Sequence, residues 1–173
     1  MYRIHLVGRL AAATATCVMA LSMTQVAAGA AAGPSVHGGG VVDGVVGTTS
    51  QLGFDASASG GHFLCIMAGR SGGFPFGPWQ SITQMEVSGP VSPGTLRVEG
   101  GVATFAGTAT IHVVGRTATG EVLTATVEGV PYVSIQTPGG AGVAEHELDV
   151  TLPSGTATFG PAPLRSGHIS VTG

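Results

Sequence analysis

Residues Gly101–Gly129, GVATFAGTATIHVVGRTATGEVLTATVEG, decide the fold. Two runs rich in Thr, Val and Ala flank a polar turn at Arg116–Gly120. In the first run Phe105, Ala109, Ile111 and Val113 share a face, and Thr104, Thr108, Thr110 and His112 share the other, with a bulge expected near Gly107. In the second, Leu123, Ala125 and Val127 face one way, and Glu121, Thr124, Thr126 and Glu128 are mixed with Val122 on the other. Alternation with period two marks half-buried strands, and β-branched side chains fit the pleat. The stretch predicts a long β-hairpin onto which the rest of the chain pairs.

The same pattern recurs on both sides of it. Gln51–Ser57 alternates, with Leu52, Phe54 and Ala56 on one face. Ser59-Gly60-Gly61 supplies a turn, and His62–Ala68 returns as the partner. Ser81–Val87, Thr95–Glu99, Val130–Gln136, Glu145–Thr151, Thr156–Phe159 and His168–Val171 add further strands, with Pro131 suited to an edge or a strand start. Gly33–Gly40 reads as a lead-in, and Val41–Val46 as a short run broken by Asp43-Gly44. No helix is expected after the first 32 residues. The expectation is a single all-β domain over residues 33–173, an antiparallel sandwich or barrel of about eight to ten strands.

Residues 1–32 read as a secretory signal helix. Arg3 and Arg9 precede an apolar stretch from Leu10 to about Met23, and small residues follow at Val26–Ala32. Cleavage is expected after Ala28, Ala30 or Ala32, giving a secreted, extracellular protein whose one contact with a membrane is through the uncleaved leader. The remaining chain keeps four Arg and no Lys against nine acids. No basic stripe exists, which excludes nucleic acid as the expected partner. The Ala/Gly/Val/Thr-rich, Lys-free composition points to a bacterial source. With 43% hydrophobic and 9% charged residues, the composition is that of a folded chain despite its 30 glycines.

Beyond the leader Cys65 is the single cysteine, so no intramolecular disulfide forms. It stands in the apolar run Phe63–Met67 and reads as a buried, inert thiol. Two places carry candidate binding chemistry. The irregular stretch Gly69–Pro78 and Trp79 crowd Phe74, Phe76 and Trp79, either as a plug at one end of the core or as an exposed loop for a glycan or another extracellular partner. Glu145, Glu147 and Asp149 share one face of a strand, a set of oxygen ligands suited to Ca²⁺ or a solvated polar face. His146 points to the opposite face as a half-buried histidine. No nucleophile elbow, phosphate-cradling glycine loop or zinc-hydrolase spacing occurs. The expectation is therefore a protein without catalysis and without a cofactor.

Several pieces resemble the post-COAP type of small β-rich domain in secreted bacterial proteins. They are Gly38-Gly39-Gly40, Leu52-Gly53-Phe54-Asp55-Ala56, the return strand with Gly61, Phe63 and Leu64, the acidic alternation Glu145–Val150, and the closing Gly167-His168-Ile169-Ser170-Val171. Cys65 and Met67 stand where that type continues into an aromatic and an acid. The resemblance implies a secreted accessory or binding module and carries no catalytic residue. Function is thus expected to be extracellular recognition or structural support, with carbohydrate binding or hydrolysis by the Phe74, Phe76 and Trp79 loop as the alternative.

Overall fold

The computed structural model describes residues 33–44, 48–72 and 78–173. The expected signal helix over residues 1–32 lies outside the described residues. The described chain is all-β. Its strands are β1 (Ser35–Asp43), β2 (Thr48–Ser57), β3 (Gly60–Gly72), β4 (Ser81–Val91), β5 (Arg97–Glu99), β6 (Val102–Arg116), β7 (Val122–Thr137), β8 (Gly139–Gly140), β9 (Glu145–Leu152) and β10 (Gly155–Thr172). Every pairing is antiparallel, in the order β1-β2-β3-β4-β6-β7-β9-β10. β1 then pairs with β10, from Ser35 opposite Thr172 to Val42 opposite Leu164. That last pairing settles sandwich against barrel: the sheet closes on itself as an 8-stranded barrel. The short β5 and β8 are appended to β6 and β10.

Alternation places the apolar residues inside. Along β6, Ala103, Phe105, Ala109, Ile111 and Val113 are buried, while Thr104, Thr108, Thr110 and His112 face out. Along β9 the buried positions are His146, Leu148, Val150 and Leu152. An apolar interior with a Thr-rich exterior is the reverse of the arrangement by which a barrel crosses a membrane.

The central hairpin is present as β6 and β7, but several details differ from expectation. β6 alternates without interruption through Gly107. The extra residue is on β7 instead: Ala109 pairs with Val130 and Ile111 with Val127, so the register shifts beside Gly129, whose φ is 69°. The strands expected before and after Gly129 are therefore one strand. Likewise the two closing strands are one, β10, with a register shift between Phe159 and Ala162. Ser35–Gly40 is not a lead-in but belongs to β1, where Gly38 lies so close to β10 that a Cβ would sit 2.7 Å from the His168 carbonyl oxygen. β3 stays paired with β4 as far as Gly72 opposite Ser81, past a register shift between Ala68 and Ser71, so the start of the stretch expected to be irregular belongs to a strand.

Candidate functional site

Two chemically different layers fill the barrel. One is aromatic. Phe63 stacks on Tyr132 with centroids 5.1 Å apart and meets Phe105 at 6.1 Å, and Phe105 meets Phe54 at 5.6 Å. The Tyr132 hydroxyl donates to the Pro90 carbonyl at 3.1 Å, and burial pushes its ionisation above the usual phenol range. A Cβ at Gly107 would lie 2.8 Å from Tyr132 Cε1, so this layer packs down to the backbone.

Further along the same strands the inward positions change character. Ser50 on β2, Cys65 and Met67 on β3, and Met85 on β4 replace the aromatic rings. The register sets Met67 between Ser50 and Met85. Slim and unbranched side chains leave the space unfilled, and a cavity of about 220 Å³ remains. His146 and Leu148 of β9 form its far wall. Its rim is made by the exposed Asp43, Gly44, Gly160 and Pro161.

The register explains the mouth. β1 leaves β10 at Leu164, so Gly155–Pro163 of β10 pair with β9 alone among the described strands. The barrel wall thus parts between the end of β1 and the first half of β10. Gly160 has φ 103°, and a Cβ there would run into the His146 carbonyl. Glycine is what lets β10 shift register this close to β9.

His146 is the most constrained polar group of the cavity wall. It stands opposite Gln136 of β7 in the register. Gln136 Nε2 lies 2.8 Å from His146 Nδ1 and donates to Ser134 Oγ at 2.7 Å. Ser134 Oγ in turn donates to the Glu147 carbonyl at 3.3 Å. With both amide hydrogens of Gln136 committed, Nδ1 accepts, and this assignment puts the ring proton on Nε2. Phe63 stacks on the ring at 6.1 Å. Burial lowers the imidazole pKa from 6.5 to about 4, so the ring is neutral at pH 7. Among the described residues no hydrogen bond reaches Nε2. Gln136 Oε1 is buried and meets no partner among the described residues.

The other polar groups of the cavity are engaged. Burial pushes the Cys65 thiol up to about 12, partly offset by its hydrogen bond with Ser50. Cys65 is therefore a protonated thiol, not a nucleophile, at neutral pH. At the rim Asp43 pairs with Arg165 at 3.1 Å.

Trp79, Glu145, Glu147 and Asp149 do not line the cavity. Phe74 and Phe76 are outside the described residues. Trp79 is buried at 9% exposure, its indole against Gly115 and its Nε1 donating to the Leu123 carbonyl at 3.2 Å. Glu145, Glu147 and Asp149 stand on the outer face of β9, where Asp149 accepts a hydrogen bond from the Thr158 hydroxyl. Among the described residues no group of three or more His, Cys, Asp and Glu is placed to hold a metal ion.

The cavity itself was not anticipated. Its sequence signal is modest: Met67 and Met85, with Ser50 and Cys65, occupy inward positions of strands that elsewhere bury Leu52, Phe54, Phe63, Ile82 and Val87. Comparison with known proteins adds nothing to this geometry: no family model matches the chain, and no curated protein or solved structure matches it.

Proposed function

We propose that this is a secreted, non-catalytic binding barrel that holds a small, predominantly apolar molecule in its interior. The observation that carries the reading is the cavity of about 220 Å³ with its mouth where β1 parts from β10. A dry apolar cavity of roughly 150 Å³ is known to take benzene, so this one suits a guest of roughly nine non-hydrogen atoms. Closed barrels of this strand number are wide enough for one small ligand. The wall contributes sulfur and hydrocarbon from Cys65, Met67, Met85 and Leu148, which bind by contact and exclusion of water. Among the described residues no Lys or Arg lines it, and the carboxylate at the rim is already paired with Arg165. The Cys65 thiol is protonated at neutral pH, in keeping with a site that binds and does not react. The resemblance to secreted accessory domains points to the same class of protein.

Thermal denaturation with cumene tests the reading. A guest bound to the folded state alone raises Tm with concentration. The wild type is expected to gain several degrees near the solubility limit of cumene. Ser50→Leu, which fills the cavity, is expected to lose the response while keeping the fold. An unchanged wild-type Tm with cumene, indole and acetophenone would reject the proposal.

A further inference from the structure

Of the polar side chains that line the cavity, His146 is the one with a ring nitrogen that meets no partner among the described residues, and that nitrogen specifies the guest. Resting on the binding-barrel reading, we infer that the guest is an uncharged molecule bearing an acceptor oxygen, such as a carbonyl or ether, and that His146 Nε2–H donates to it.

The ring is held in place before any guest arrives. Gln136 engages Nδ1 at 2.8 Å, and the Ser134 hydroxyl and Glu147 carbonyl hold the Gln136 amide in turn. Phe63 covers a ring face. The chain of donors and acceptors leaves the proton on Nε2, which makes His146 a donor and not an acceptor toward the cavity. The remaining polar side chains are occupied: Ser50 with Cys65, and Asp43 with Arg165. A guest that fills the cavity takes away the water that can meet the Nε2 donor, and a guest oxygen replaces that hydrogen bond where hydrocarbon does not. A carboxylate guest is disfavoured, because burying it needs a positive charge that the described residues of the wall do not supply.

Acetophenone, cumene and benzoate match in size and differ in the group offered to His146. Their affinities are measured by titration calorimetry on the wild type and on His146→Leu. The ratio of acetophenone to cumene affinity is expected to fall about tenfold in the variant, the scale of one good hydrogen bond, because the shared apolar contribution cancels in the ratio. Benzoate is expected to bind at least about a hundredfold more weakly than acetophenone at pH 7. Ring ¹⁵N spectra of the wild type give a second readout that does not depend on how the variant folds. They are expected to show a bare Nδ1 and a protonated Nε2, with Nε2 moving on addition of acetophenone and not of cumene. If both neutral probes bind and the ratio is unchanged in His146→Leu, or if the proton is on Nδ1, the inference is overturned while the binding barrel stands. If neither neutral probe binds, the barrel reading fails and this inference fails with it.

Discussion

At the residue scale, His146 is where sequence, burial and chemistry meet. Its neutrality is a consequence of its surroundings: burial in an apolar layer penalises the charged ring, and Gln136 fixes the tautomer. This makes stability depend on pH in a definite direction. The unfolded chain takes up a proton near 6.5, the folded chain near 4. The native state is therefore favoured fully above pH 6.5, and the advantage declines as pH falls from 6.5 to 4, because the unfolded chain binds more protons there. The shift corresponds to about 3 kcal/mol. Urea unfolding of the wild type and of His146→Leu isolates this contribution from the carboxylates. The difference, wild type minus variant, is expected to fall by about 3 kcal/mol between pH 7 and pH 4. A difference independent of pH would show that the ring is not held neutral.

At the scale of elements, the strands that were legible are those that alternate without interruption. β2, β6 and β9 each alternate with period two, mostly apolar against polar, and the structure buries every second position. β9 even gave the inward direction of His146 correctly. β7 and β10 are each harder to recognise as one strand, because Gly129 and Pro131 interrupt the first and Gly160, Pro161 and Pro163 the second. They are tolerated for a physical reason. Val122–Pro131 of β7 and Gly155–Pro163 of β10 each pair on one side only among the described strands, so a missing N–H need not cost a ladder bond. The candidate site was less legible than the strands. Which inward residues share a space depends on closure, which carries β9 across from β3, and no local pattern encodes that. Gly160→Ala tests the account of β10. The new Cβ would meet the His146 carbonyl at a φ that side chains rarely adopt, and a loss of about 2 kcal/mol or more is expected. Gly53→Ala is the control, with open space and ordinary backbone, and is expected to change stability by less than about 1 kcal/mol. Equal losses in the two variants would show that β10 does not lie against β9 as described.

At the scale of the whole molecule, the barrel divides its interior between rigidity and capacity. The aromatic layer of Phe54, Phe63, Phe105 and Tyr132 is packed to the backbone and holds the strands in register. The layer beside it, built from Ser50, Cys65, Met67 and Met85, leaves room. His146 lies at their boundary, stacked on Phe63 and facing the cavity wall. The central claim is that this room receives a guest. Methionine methyl NMR tests it most directly, because Met67 and Met85 both line the cavity, and the other three of the five methionines fall in residues 1–32. With [¹³C-methyl]methionine protein and acetophenone, the account predicts that the Met67 and Met85 methyl signals, assigned through Met67→Leu and Met85→Leu, shift in a saturable way and show contacts to the probe. Signals from both methyls that stay unmoved up to the solubility of the probe would contradict it.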